Sequence, residues 1–433
     1  MVTMLRSKQT NAKLRRATPD DFDALYEIWM QDHINPFMSF EQMPKNEFRP
    51  IFDQLFKASD IYVIEDAGQV VAARRIIFDS DDHAHTAYFA SFGVHKDHLR
   101  KGYGELFYNV FIDLIRSKRP DITRIELTQE TDNDPALRLA NKMGFKVEAA
   151  FPDWLPRTTG THKDKWYIAE RFHALLLDQK IETKSALDKL PPELPLLTVN
   201  SSKLKLEIKD KKANGYQDEK LQATCSFSSG VRRYAHIEFW TVQLEPGCDP
   251  KAVQAFLREL AVVAAQKHKK IEILTSDQHT LDVLSKLGFH CRGEKIASRK
   301  VGNDYFNEVG VDLGFFNIDD AKQMLTTIKD ADGYQLIRVS SSLESCKKAI
   351  QQEFESKQID QYAKLFLENM AFQMTREGMG ETRLYNQSNA PWPALIDALP
   401  EKLKTVFIPL GQAAKVLGQE PKKDEKIVIS NTK

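Results

Sequence analysis

The chain has 433 residues, 42% of them hydrophobic and 28% charged, the balance of a soluble globular protein too long for one ordinary core, so two or three domains are expected. Lys and Arg number 61, as do Asp and Glu, and this neutrality removes any overall-charge argument for nucleic acid or an anionic membrane as partner. Cys225, Cys248, Cys291 and Cys346 are widely spaced with no Cys-x-x-Cys pair, which argues against structural zinc or a disulfide framework and for free thiols in a reducing compartment.

The first residues are basic but lack the apolar run of a signal peptide, and no 18-residue apolar stretch follows. A cytoplasmic protein with no membrane span is the expectation. Thr18 before Pro19 reads as a cap and first helical residue, with Phe22, Leu25, Ile28 and Trp29 at helical spacing behind it. A second helix is expected over 47–58. DIYVIEDAGQVVAARRIIFD predicts two strands around Asp66-Ala67-Gly68, and AHTAYFASFGV a strand ending near Val94. The polar, basic HKDHLRKGYG leads into the amphipathic helix ELFYNVFIDLIRSKR. RIELTQE reads as a strand, DPALRLANKM as a short helix, and FKVEAAF and WYIAERFHALLL as strands, an order that describes a mixed α/β sheet.

Prolines and small polar residues over 176–200 mark a linker. Beyond it, strand, helix, strand, helix and strand recur. Val94 precedes Gly144 of Lys-Met-Gly-Phe by 50 residues, and Val242 precedes Gly288 of Lys-Leu-Gly-Phe by 46, so the segment 201–317 reads as a diverged copy of the first 175 residues. From 318 to 433 a mostly helical or α+β extension is expected. Its stripe of Ile350, Phe354, Ile359, Tyr362, Leu365 and Phe366 suits core packing better than a cofactor box.

The strongest chemical feature is Leu99-Arg100-Lys101-Gly102-Tyr103-Gly104 at a strand-to-helix junction. A helix start leaves backbone N–H groups unpaired at its positive end, and glycines let a phosphate approach them. The loop lacks the third glycine of a dinucleotide fingerprint and the Gly-Lys-Ser or Gly-Lys-Thr of a nucleotide P-loop. Downstream, Asn133, Ala136, Leu139, Gly144 and Phe145 form a second, separately placed signature.

Together these motifs resemble the GNAT family of N-acetyltransferases over about residues 14–173, and more loosely over 204–316. The resemblance implies a mixed-sheet acyl-CoA N-acyltransferase fold, in tandem, and transfer of an acyl group from acetyl-CoA or another acyl-CoA to a primary amine. The acceptor amine would belong to a small molecule, a protein lysine or a protein N-terminus. It further implies that backbone amides over Leu99, Arg100, Lys101, Gly102, Tyr103, Gly104 and Glu105 bind the CoA diphosphate. Phe92, Gly93 and Val94 would bond the pantetheine arm, Asn133 would reach that arm or hold its helix, and Phe145 would be core.

Leu99 departs from the Gln or Arg of the family motif, and Ala140 stands where many members carry the tyrosine that protonates the departing thiolate. The remaining acid or base candidates are Tyr103, Tyr108, Glu126, Glu130 and Tyr167. Glu130 is preferred, since it follows the strand near the amine approach, with Tyr167 next; Tyr103 and Tyr108 suit packing, and Glu126 a solvent-facing edge. His83, His85, His95 and His98 do not have zinc-ligand spacing. The second half carries Leu244-Glu-Pro-Gly-Cys-Asp-Pro250 in place of the glycine pair, so it is expected to brace the first rather than bind CoA. The alternative is a catalytically lapsed CoA-binding or protein-interaction module, in which the split of the sheet would be blocked by Phe89, Phe92 or the C-terminal region.

Overall fold

The computed structural model describes residues 3–4, 12–155, 168–178, 180–184, 204–267, 270–314, 334–339, 343–374, 383–385, 399–404 and 407–409. It divides into two compact units. The first comprises Met1–Ser185, Arg232–Tyr234 and Gly293–Glu308; the second comprises Ala186–Val231, Ala235–Arg292 and Val309–Lys433.

The first unit begins with β1 (Thr3–Met4), β2 (Lys13–Arg16), α1 (Phe22–Trp29), α2 (Lys45–Ala58), β3 (Asp60–Asp66) and β4 (Gln69–Phe78). It continues through β5 (Thr86–Val94), α3 (Tyr103–Lys118), β6 (Arg124–Glu130), α4 (Asp134–Lys142), β7 (Lys146–Leu155), β8 (Ile168–Leu176) and β9 (Thr183–Lys184). Positive φ at Ala67 and Gly68 closes the β3–β4 hairpin with a two-residue turn whose twist matches the strands. The strand order is β1-β2-β3-β4-β5-β6-β8-β7. All junctions are antiparallel except β5–β6, which the long α3 crossover makes parallel.

Strand alternation decides which helices cover which face. Ile61, Val63 and Ala73 bury against Leu25, Ile28, Trp29, Phe48 and Phe52 of α1 and α2. On the opposite face Ile64, Ala72, Ala87, Phe89, Ile125 and Leu127 bury against Phe107, Tyr108, Phe111 and Ile115 of α3. Pro50 lies inside α2, as its second turn begins.

The second unit contains β10 (Leu204–Lys209), β11 (Lys212–Gln217), β12 (Lys220–Ser229), β13 (Ile237–Leu244), α5 (Pro250–Gln266), β14 (Lys270–Thr275) and α6 (Gln278–Lys286). Two further strands, β15 (His290–Val301) and β16 (Asp304–Gly314), contribute their His290–Arg292 and Val309–Gly314 parts to it, and their Gly293–Glu308 parts to the first unit. Its order is β10-β11-β12-β13-β14-β16, again with one parallel junction, β13–β14. Between β10 and β11 stands a two-residue turn, where the first unit places α1 and α2 between β2 and β3.

The C-terminal part adds β17 (Tyr334–Val339), α7 (Leu343–Glu355), α8 (Gln361–Met374), β18 (Arg383–Tyr385), α9 (Glu401–Lys404) and β19 (Phe407–Pro409). The helical stripe does pack as core: Ile350, Ile359, Tyr362 and Phe366 join Phe256, Leu257 and Leu260 of α5. Beside these helices stands a small antiparallel sheet, β18-β17-β19, as the α+β alternative expects.

Candidate active site

The central feature is a break in the first unit's sheet. β5 and β6 pair only from Thr86 with Arg124 to Tyr88 with Glu126, although they run on to Val94 and Glu130. The cause lies on the other side of β5. Its register with β4 passes from Arg75↔Ala90 to Ala73↔Gly93, so β5 carries one extra residue and bulges. Ser91, at φ +46°, takes the irregular conformation. Trp29 Nε1 donates to Ser91 O at 3.1 Å and Arg75 reaches Ser91 Oγ at 3.4 Å, which fixes the bulge from the α1 side. Beyond it, a Cβ on Gly93 would stand 2.9 Å from Ile28 Cγ2 and 3.0 Å from an Ile34 methyl, so only glycine lets α1 sit this close. Val94 O lies 3.2 Å from His33 Nε2.

The chain then turns through Lys96–His98 into α3. Arg100 (φ +62°) and Gly102 (φ +85°) are both left-handed, and Gly102 is the N-cap. Among the described residues, none of the N–H groups from Arg100 to Glu105 donates to a protein acceptor, whereas Leu106 N–H closes the first helical bond on Gly102 O at 3.0 Å. Such donors at the positive end of a helix can receive an anionic group. The two glycines differ in purpose. A Cβ on Gly102 would meet nothing within 4 Å, so its requirement is conformational; one on Gly104 would lie 2.8 Å from Leu139 Cδ2, so its requirement is the contact with α4. Lys101 Nζ stands 3.3 Å from His98 Nδ1, and Glu105 pairs with Lys142 at 2.6 Å. Leu99 is exposed.

Asn133 caps α4, its side chain accepting from Ala136 N–H at 3.4 Å. Ala140 and Phe145 are buried in the α3-side core. Phe89 also packs there, and Phe92 lies against it.

Residues 22–145 match the Acetyltransferase (GNAT) family. The N-terminal ~150 residues hold a GNAT-fold acetyltransferase domain. Solved structures of similar shape include a spermidine N-acetyltransferase from Vibrio cholerae in complex with CoA and spermine, 18% identical with a TM-score of 0.33, the match covering 38% of this chain and 95% of that one. A GNAT-family acetyltransferase from Bacillus anthracis is 16% identical with a TM-score of 0.33, over 41% of this chain and 99% of its own. An N-acetyltransferase from Staphylococcus aureus Mu50 is 20% identical with a TM-score of 0.33, over 39% of this chain and 100% of its own. Likeness of this degree decides nothing about substrate. No curated protein matches the chain.

Within the GNAT-fold domain, β6 alternates between two faces: Ile125 and Leu127 enter the α3-side core, which leaves Glu126, Thr128 and Glu130 on the other side. All three face a polar cluster. Tyr88 shares a 2.6 Å hydrogen bond with Thr128 Oγ1 across the base of the split, and burial, then Glu170, push its hydroxyl well above the ordinary tyrosine range. Glu130 is buried and stands opposite Glu170 in the β6–β8 register. Tyr234 donates to Glu170 Oε1 at 3.0 Å. Burial, opposed by the nearby Tyr88 hydroxyl and helped by the like charge of Arg232, brings Arg75 down to about 10 and so leaves it a cation at neutral pH. Tyr167, the other acid-base candidate, lies outside the described residues.

The expectation that Glu126 faces solvent is corrected. It is buried, bonded to Arg124 at 2.7 Å and Lys295 at 2.8 Å. Burial alone would raise its carboxyl, but Lys295 and Arg124 outweigh that and hold it at about 2. A permanently ionised, doubly paired group is a poor proton carrier near neutrality. Arg124 itself is paired with Glu148 as well and donates to Ile296 O. Gly293 makes this approach possible: at φ +142° its absent Cβ would overlap Glu148 O and Ala149 Cα. Tyr103 is likewise occupied, donating to Asp66, and burial and then that carboxylate push it up to about 12. Tyr108 is buried 5.5 Å from the Phe145 ring, with the Arg74 guanidinium 4.0 Å over its own. Arg74 Nε and Nη1 have no hydrogen-bond partner and rest on Phe89 and Phe92 as well.

The four histidines are dispersed in role. His83 bonds Glu308 at 2.9 Å and His85 reaches Ala297 O at 2.8 Å, whereas His95 and His98 stay on the loop before α3. Of the acidic residues near α1 and α2, Asp32 accepts from Gln42, Asp53 from Arg49 and Glu41 from Arg233.

Proposed function

We infer that the N-terminal unit transfers an acyl group, in the simplest case acetyl, from acyl-CoA to a primary amine. The observation that carries this reading is the coincidence, within one βαβ crossover, of a sheet that opens at Tyr88 and Glu126 and a helix start with unclaimed N–H donors from Arg100 to Glu105. Phe92, Gly93 and Val94 offer strand-edge groups to the pantetheine arm. Leu99 through Glu105 receive the diphosphate, with Arg100 and Lys101 supplying positive field. Asn133 acts through the cap of α4.

The amine nitrogen attacks the thioester carbonyl, the carbon–sulfur bond breaks, and the electron pair leaves with sulfur as CoA thiolate. Glu130, directly or through one water, takes the proton that nitrogen must lose. A thiolate is stable enough to leave without the tyrosine that Ala140 replaces. Tyr167 remains the second candidate for proton transfer. The acceptor is an amine of a small molecule, a protein lysine or a protein N-terminus.

The segment 201–317 is proposed as a second GNAT-like unit without a CoA site. Its strand order and single parallel junction support this, and so does the start of α5, where Asp249 caps the helix, accepting from Lys251 N–H at 3.0 Å, and Gln222 takes the Asp249 N–H at 2.7 Å. An anionic cap there repels phosphate. The β12–β13 register also runs without a bulge.

Isothermal titration of the full chain with acetyl-CoA, followed by thiol release on adding primary amines, tests the reading. Saturable binding and amine-dependent release that falls by two orders of magnitude or more in Glu130→Gln are expected, in the range for general-base catalysis. Absence of acetyl-CoA binding at high micromolar concentrations would overturn it.

A further inference from the structure

We propose that Arg75, reinforced by Arg232, receives a carboxylate of the acceptor, so that the amine acylated here belongs to a molecule with a carboxylate close to its nitrogen, in the simplest case an amino acid. This rests on the acyl-transfer reading above and adds the class of acceptor.

β4 carries two adjacent arginines, which strand alternation sends to opposite faces. Arg74 turns to the α3 side, its guanidinium 4.0 Å from the centre of the Tyr108 ring, 4.5 Å from that of Phe92 and 5.0 Å from that of Phe89, contacts that offset the cost of its buried charge. Arg75 turns to the side of α1 and α2 and is only 8% exposed. Its Nε donates at 3.1 Å to the hydroxyl of Ser59, the residue that ends α2, and its Nη1 at 3.4 Å to Ser91 Oγ on the bulge. Both acceptors are neutral. Among the described residues no carboxylate pairs with Arg75 and no aromatic ring carries its charge. The groups whose charge acts on it are the Tyr88 hydroxyl, which burial keeps protonated at neutral pH, and Arg232, a second cation. Arg232, in the Arg232–Tyr234 segment of the same unit, is half-buried and bonded through Nη2 to Gln54 Oε1 at 3.3 Å, again a neutral partner.

Two neighbouring guanidinium groups, one of them nine-tenths buried, are costly to hold without an anion, and the serines satisfy hydrogen bonds without neutralising either charge. Of the five N–H donors of a guanidinium, the serines take two of Arg75's. Those left form the planar fork that suits a carboxylate. The place is also right for an acceptor. Arg75 stands opposite Ala90, its Ser91 contact adjoins the Phe92–Val94 edge proposed for the pantetheine arm, and the Tyr88–Thr128 bond marks the base of the split on the same face. A carboxylate held here fixes the position of an amine on the neighbouring carbon against the thioester.

The test is thiol release from saturating acetyl-CoA by the full chain, with L-alanine, L-phenylalanine and L-lysine each compared with its own amide, for the parent, Arg75→Gln and Arg75→Lys, alongside acetyl-CoA titration. In the parent at least one acid should exceed its amide in kcat/KM by about ten-fold or more, through a lower KM, as for a charge-assisted hydrogen bond. In Arg75→Gln that ratio should fall to near one, and Arg75→Lys, which keeps the charge but not the fork, should retain part of it. If Arg75 serves only to hold the bulge, acid and amide fall together in Arg75→Gln and the ratio persists, which overturns the proposal. So does a parent that binds acetyl-CoA but uses amides as well as acids, or none of the six amines. Should Arg75→Gln fail to fold, Arg232→Gln takes its place and must lower the same ratio several-fold. A parent that binds no acetyl-CoA overturns the acyl-transfer reading and this one with it.

Discussion

Replacing Gly102 separates the loop's binding role from its structural one. At φ +85° with open space around the missing Cβ, Gly102→Ala costs only backbone strain, about 1–2 kcal/mol for a left-handed L-residue. Gly102→Glu adds the same strain plus a negative charge beside the unclaimed donors of Arg100–Glu105. A carboxylate ~6 Å from one phosphate charge repels it by about 0.7 kcal/mol at the dielectric of water and about 3 kcal/mol at an effective value of 20. Two phosphates therefore predict acetyl-CoA affinity lowered by roughly one to four orders of magnitude. Gly104→Ala is the counterpart. Its Cβ meets Leu139 at 2.8 Å, so overpacking of about 1–3 kcal/mol should appear as a lower Tm. Isothermal titration and thermal melts of the three variants read both effects. If Gly102→Glu binds acetyl-CoA as the parent does while remaining folded, the phosphates do not sit at this helix start and the reasoning fails.

Trp29→Phe removes the Nε1 donor to Ser91 O and keeps most of the packing; stability should drop by about 1 kcal/mol, and acetyl-CoA affinity should weaken several-fold as the bulge loosens, readable in the same titration. Glu126→Gln tests the ion network: because the folded carboxyl is held at about 2, below its unfolded value, its contribution is complete above about pH 4.5 and disappears as pH falls toward 2. Denaturant unfolding should show a loss on the order of 3 kcal/mol at pH 7 that shrinks toward pH 3; a deficit independent of pH would contradict the assignment. In the second unit, Asp249→Ala should cost about 1 kcal/mol through the lost cap and should not create acetyl-CoA binding. Binding at that helix start would show that the anionic cap was all that barred it.

The legible part of the molecule is the part written in consecutive residues. Period-two and helical spacing located β3 through α4, since each element's burial repeats within it, and Ala67-Gly68 marked a turn that only small or glycine residues make easily. The loop before α3 was readable because left-handed backbone at Gly102 and a close helix contact at Gly104 both demand glycine. RIELTQE held a clue that went unused. Polar residues at 124, 126, 128 and 130 of a central strand predict a buried polar row, yet Glu126 was expected at a solvent-facing edge.

What the sequence by itself determined is the local grammar: strands, helices, a glycine-bearing helix start and the family signatures carried by them. Only the tertiary structure decided that the sheet splits at Tyr88 and Glu126, that Lys295 and Arg124 neutralise Glu126, and that Tyr234 meets Glu170. The physical reason is that these depend on which distant segments converge. A one-residue bulge is invisible until two strands are paired, and the protonation of Glu126 follows in part from Lys295, 169 residues away, whose approach is fixed by packing rather than by any period in the chain.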